Sequence, residues 1–171
     1  MNLVLIGYRG TGKSTVGAIV AKRLGLKLVN LDDRIAAKAG MRIPEIVEKH
    51  GWDHFRDLES EVVAEVVQGD KQVLDCGGGV ILREKNVALL KKAGKVFWCK
   101  ASITSIVSRI QDGTERPSLT GKSFTDEVAE VLAQREPKYR AAADQMVDTD
   151  GKSPEQVAQE IVLFFQPGVR G

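Results

Sequence analysis

The chain has 171 residues, with 25 Lys and Arg against 23 Asp and Glu, a formal charge of +2. So even a balance gives no general case for nucleic-acid or membrane binding, and no apolar run approaches the roughly 20 residues needed to span a bilayer. With 43% hydrophobic and 28% charged residues, the composition fits one soluble globular domain over residues 1–171 with a real core.

Met1-Asn2 leads directly into an apolar run, with no basic n-region or cleavage site, so no leader is expected. The two cysteines, Cys76 and Cys99, end apolar runs and read as buried thiols in a reducing, cytoplasmic compartment.

Leu3–Ile6 reads as a strand that opens into Gly7-Tyr8-Arg9-Gly10-Thr11-Gly12-Lys13-Ser14. That is G-x-x-x-x-G-K-S, a loop whose backbone N–H groups cradle phosphate oxygens. Lys13 is expected to reach the β- and γ-phosphates and Ser14 to ligate Mg²⁺. The helix starting near Lys13 adds its positive end, with apolar Val16, Ile19, Val20 and Leu24 at helical spacing and Gly25 as its stop. The nucleotide residues of this segment are Gly10, Thr11, Gly12, Lys13, Ser14 and Thr15. Lys27–Asn30 reads as the second strand, and helices follow over about 32–39, 44–50 and 54–68. Gln72–Cys76 is the third strand, ending in the run Gly77-Gly78-Gly79, where the glycines are best explained by close approach of a ligand. A helix over 83–92, a strand Lys95–Cys99 and a helix over 102–111 come next.

Gln111–Ser123 is polar, punctuated by Gly and Pro and without an apolar period. Thirteen such residues are long for a connector in a compact domain and read as a lid. A helix over 125–140, a strand Gln145–Asp148 and a helix over 153–165 complete the chain, the last opened by Ser153-Pro154-Glu155. The tail Gln166–Gly171 reads as frayed. Short strands alternating with helices predict an α/β fold, a parallel sheet covered on both faces, with its ligand at the carboxyl ends of the strands. Gly7–Ser14, Asp32 and Asp33, Asp75 with Gly77–Gly79, and Ser102 fall at those ends.

The phosphate loop alone does not separate kinases from GTPases or motor ATPases. No Asn-Lys-x-Asp for reading guanine is present, and the chain is short for an oligomeric ATPase core. A helical insertion over Arg42–Glu65 and a basic lid suit a small-molecule kinase. The sequence resembles the shikimate kinases over essentially its whole length. The residues that carry the resemblance are Gly7-x4-Gly12-Lys13-Ser14, Asn30-Leu31-Asp32-Asp33, Phe55-Arg56-x-x-Glu59, Cys76-Gly77-Gly78-Gly79-Val80, Arg116-Pro117-x-Leu119 and Arg135-x-Pro137-x-Tyr139-Arg140. The resemblance implies a three-layer P-loop kinase of the nucleoside-monophosphate-kinase type, with a five-stranded parallel sheet in order 2-3-1-4-5. It implies a substrate-binding segment near 32–65, a lid near 111–123, and a monomer that binds neither nucleic acid nor membrane. It also implies transfer of the ATP γ-phosphoryl to the 3-hydroxyl of shikimate, with Mg²⁺, on the route to chorismate.

By the same resemblance Lys13, Asp32 and Arg116 are catalytic, and Asp32, Arg56, Gly78, Gly79 and Arg135 bind shikimate. Arg109 and Pro154 flank the adenine, and Arg116 reaches the phosphates. The chemistry agrees. A carboxylate substrate calls for planar guanidinium groups, and Glu59, three residues after Arg56, can orient it. Asp33 reads as a solvated first-turn acid, Phe55 and Trp52 as apolar wall, and His50 and His54 as surface residues. Two other readings stay open: a kinase for another polyol acid such as gluconate, and a nucleotide-binding module without catalysis.

Two positions depart from the family pattern together. Relatives commonly carry Asp at the position of Asn30, while Asp75 stands where many have a small or neutral residue. The pair implies a swap, in which Asp75 supplies the outer-shell carboxylate for Mg²⁺ that Asn30 lacks. The plainer reading is that Asp75 caps a turn near Gly77.

Overall fold

A computed structural model describes residues 1–110 and 124–166. The strands are β1 (Asn2–Ile6), β2 (Lys27–Asn30), β3 (Gln72–Asp75), β4 (Gly94–Lys100) and β5 (Gln145–Asp148). They form one parallel sheet in the order β2-β3-β1-β4-β5, the order the resemblance implied. The helices are α1 (Lys13–Leu24), α2 (Leu31–Ala39), α3 (Ile43–Val66), α4 (Glu84–Ala93), α5 (Ile103–Ile110), α6 (Phe124–Ala142) and α7 (Pro154–Phe165), with a 3-10 turn at Val80–Leu82.

β1 is central, and its side chains alternate between two cores. Val4 and Ile6 join Val29, Leu74, Val96, Trp98 and the inner faces of α3 and α6. Leu3 and Leu5 join Val73, Phe97, Val147 and the inner faces of α1 and α7. Burial on both faces is why these strands read as continuous apolar runs. The segments expected over 44–50 and 54–68 are one stretch, α3, whose backbone leaves helical geometry at Gly51 (φ 85°, ψ 170°). β3 stops one residue short of Cys76, where the glycine turn begins. Among the described residues no helix is long and apolar enough to cross a membrane.

Candidate active site

The loop after β1 is set by backbone geometry. Gly7 has φ 144°, and a Cβ there would lie 2.4 Å from the Cys99 carbonyl oxygen on β4, so only glycine fits. Thr11 is buried and braces the loop, its hydroxyl donating to the Tyr8 carbonyl at 2.9 Å. The Lys13 ammonium donates to that same carbonyl at 3.3 Å. Arg109, on α5, donates to the Gly10 carbonyl at 3.2 Å. A cleft of about 320 Å³ opens here, lined by Arg9, Gly10, Gly12–Thr15, Asn30, Asp32, Asp75–Gly78 and Arg109.

The floor of the cleft joins three strand ends. The Ser14 hydroxyl donates to Asp75 Oδ2 at 2.6 Å, and the Asn30 amide donates to the same oxygen at 3.2 Å. Burial pushes the Asp75 carboxyl above its ordinary range, while the Lys13 charge and the Ser14 and Asn30 hydrogen bonds pull it back. Asp75 therefore accepts from Ser14 on α1 and, across strands, from Asn30. Asp33 is exposed in the first turn of α2, its amide taken by Asn30 Oδ1.

Beyond Gly77 the cleft meets a set of buried charges. Arg56 and Glu59, both on α3, pair at 2.9 Å and are nearly sealed from solvent. Trp52 and Phe55 hold the Arg56 guanidinium, 5.5 and 5.0 Å from their ring centroids, and stand edge-to-face with each other. Arg135, on α6, is buried with its guanidinium 5.8 Å from the Tyr8 ring. A Cβ at Gly77 would lie 2.9 Å from Asp32 Oδ1, one at Gly78 would lie 3.4 Å from Arg135 Nη1, and one at Gly79 would lie 2.3 Å from Arg56 Nη2. Gly77 and Gly79 thus make room for the protein's own Asp32 and Arg56 side chains, while Gly78 stands in contact range of Arg135.

This chain is similar to known proteins along its length. The family model for shikimate kinase matches residues 9–166. The chain belongs to the shikimate kinase family. A shikimate kinase of Thermodesulfovibrio yellowstonii is 42% identical over 165 residues, covering 96% of this chain and 95% of that one. Another, from Geobacter sulfurreducens, is 41% identical over 165 residues, covering 96% and 91%. Shikimate kinase from Acinetobacter baumannii in complex with shikimate superposes with a TM-score of 0.91 at 32% identity, covering 95% of this chain and 91% of that one. The fold and the kinase class expected from the sequence follow from this family.

The structure gathers most of the expected site residues. Lys13, Ser14, Asp32, Asp75, Gly78 and Arg109 share the cleft, and Arg56, Gly79 and Arg135 adjoin it through the glycine turn. Pro154 stands apart from the cleft lining, at the first position of α7, where Ser153 and Gln156 form a capping box. Arg116 and the expected lid lie outside the described residues. His50 and His54 are exposed, with ring centroids 4.7 Å apart. Cys76 and Cys99 are buried free thiols, and burial pushes Cys99 up to about 12.

Sequence reading left three residues without a role. Tyr8 is buried under Arg135, so the neighbouring Arg9 is turned into the cleft. The Tyr139 hydroxyl donates to the Gly78 carbonyl at 2.5 Å. Only tertiary packing reveals these; the one local signal is an arginine among the variable positions of the phosphate loop.

Proposed function

We propose that the chain is one kinase domain, monomeric, that transfers the γ-phosphoryl group of ATP to the 3-hydroxyl of shikimate, giving shikimate 3-phosphate and ADP. One observation carries the reading. The phosphate loop shares one cleft with Asp32 and adjoins two buried arginines, the charge pattern that a small hydroxylated carboxylate needs from its acceptor site.

Gly10–Thr15 cradle the phosphates, and Lys13 leaves the Tyr8 carbonyl to reach the β- and γ-phosphates. Arg109 and Pro154 bound the adenine, and Arg116 screens charge on the phosphoryl group in flight. Arg56 and Arg135 hold the shikimate carboxylate, with Gly78 and Gly79 offering backbone amides. Asp32 holds the 3-hydroxyl in line and accepts its proton as the new oxygen–phosphorus bond forms. With a loose transition state, positioning is the larger share of its work.

The donor set fits Mg²⁺: the Ser14 hydroxyl and the Asp75 carboxylate line the cleft as hard oxygen ligands, and the Asn30 amide holds that carboxylate. Ser14 would hold the ion directly, with Asp75 and Asn30 in its outer shell. When bound, the ion would neutralise charge on the β- and γ-phosphates.

A coupled ADP-release assay with Mg²⁺, ATP and shikimate tests the reading, with gluconate and related polyol acids as competitors. Turnover confined to shikimate supports it. Turnover on gluconate alone, or none at all, refutes it.

A further inference from the structure

Asn30 and Asp75 face each other in register across β2 and β3. One carboxamide serves two neighbours there. Asn30 Oδ1 accepts the Asp33 amide at 3.0 Å and caps α2, while Nδ2 donates to Asp75 Oδ2 at 3.2 Å. The cap requires an acceptor, so the NH₂ must face Asp75. The Ser14 hydroxyl donates to the same Oδ2. Among the described residues Asp75 Oδ1 takes no hydrogen bond, and Asp75 lines the cleft.

An Asp at position 30 would still cap α2. It would also set a second carboxylate against Asp75 and remove the donor that aims it. The strand pair therefore has room for one carboxylate and one amide. The reverse arrangement keeps every contact, with the hydrogen bond to Ser14 reversed. With N30D and D75N together, one oxygen of the new carboxylate caps α2 and the other accepts from the new amide. Because Ser14 and Asn30 meet the same Oδ2, the NH₂ that replaces it gives its second proton to Ser14 Oγ, and the contact with Ser14 is kept with its direction reversed.

We infer that Asn30 and Asp75 are one exchangeable unit of the Mg²⁺ site: the carboxylate can sit on either strand provided that the amide sits on the other. Asp75 carries the charge, and Asn30 is the positioning residue that aims it. The inference rests on the reading that Ser14 holds the ion directly.

The test is Mn²⁺ binding to the enzyme·ADP complex, followed by the electron paramagnetic resonance signal of free Mn²⁺, with shikimate affinity measured alongside by tryptophan fluorescence. Asp75→Asn weakens Mn²⁺ binding by about tenfold or more, the usual cost of losing an outer-shell partner. Its shikimate affinity stays within about twofold of the parent, because the acceptor residues are separate. Adding Asn30→Asp to Asp75→Asn brings Mn²⁺ affinity back to within about threefold of the parent, the non-additivity expected of residues in contact. Asn30→Asp alone melts below the parent without divalent cation and gains more than the parent from Mn²⁺. Unchanged Mn²⁺ affinity in Asp75→Asn, or a double exchange no tighter than that single change, overturns the inference. Ser14→Ala separates the two levels. If it too leaves Mn²⁺ binding unmoved, the direct-ligand reading fails; if it alone weakens binding, only the exchangeable pair fails.

Discussion

Replacing Gly79 by alanine tests whether Arg56 recognises the substrate. Gly79 has φ −99° and ψ 11°, a conformation open to any residue, so backbone strain plays no part. The added Cβ would lie 2.3 Å from Nη2 and 2.4 Å from Cζ and Nη1 of Arg56. Ordinary contact is about 3.5 Å, so the guanidinium must retreat by roughly 1 Å. It has no easy retreat, because Glu59 holds it at 2.9 Å and Trp52 and Phe55 pack against it. Loss of one charge-assisted contact costs about 1.5–3 kcal/mol, or roughly ten- to 150-fold in shikimate affinity. The KM for ATP should move by less than about twofold, since the phosphate loop is untouched. Coupled ADP release at saturating Mg²⁺ and ATP gives the KM for shikimate, and tryptophan fluorescence gives the affinity without turnover. A folded Gly79→Ala enzyme with unchanged shikimate affinity would refute the placement of Arg56 at the substrate carboxylate.

Three further outcomes follow from the same geometry. Glu59→Ala removes the carboxylate that pairs with the buried Arg56 at 2.9 Å and should lower stability by about 3–5 kcal/mol in urea unfolding; a loss below about 1 kcal/mol would mean that solvent already screens the pair. Lys13→Met should reduce kcat by about 10²- to 10³-fold with shikimate affinity nearly unchanged. Equal losses in both would assign Lys13 to bracing the loop through the Tyr8 carbonyl. Arg116→Ala should lower kcat by about 10²-fold or more while sparing most ADP affinity by calorimetry, and full retained turnover would remove Arg116 from the reaction.

Local features were legible from the sequence, and cross-chain ones were not. The phosphate loop is visible because its glycines and Lys13 lie within eight consecutive residues, Gly7 to Ser14. The strands are visible because Leu3–Ile6 and Val96–Cys99 are buried on both faces. The bend of α3 was marked by Gly51. The glycine turn was found for a reason that needed completing. Close approach was expected from a ligand, and the structure shows it coming from Asp32, Arg135 and Arg56, which arrive from three different helices. The exposure of Arg9 depends on Tyr8 being buried under α6, a contact spanning most of the chain. The bond from Asn30 to Asp75 exists only because β2 and β3 pair in that register.

The strand order sets the phosphate loop beside the glycine turn, and helices bring the buried arginines to them. From β1 the chain passes to β2 on one side, and from β3 it crosses β1 to reach β4 on the other. This reversal is where an open parallel sheet binds its ligands. Here the phosphate loop and the glycine turn lie side by side and line the cleft. Gly7 seats against the Cys99 carbonyl on the β4 side, and a Cβ at Gly78 would lie 3.5 Å from the Arg9 amide and 3.6 Å from the Gly7 carbonyl on the β3 side. The guanidinium groups of Arg56 and Arg135 approach the glycine turn from α3 and α6, and each has its own support: Glu59 with two aromatic rings for Arg56, and the Tyr8 ring for Arg135. In-line transfer asks for reacting atoms about 3–3.5 Å apart. The phosphate loop and the glycine turn, close enough that a Cβ at Gly78 would touch the loop backbone, supply that closeness, and the helices supply the charge.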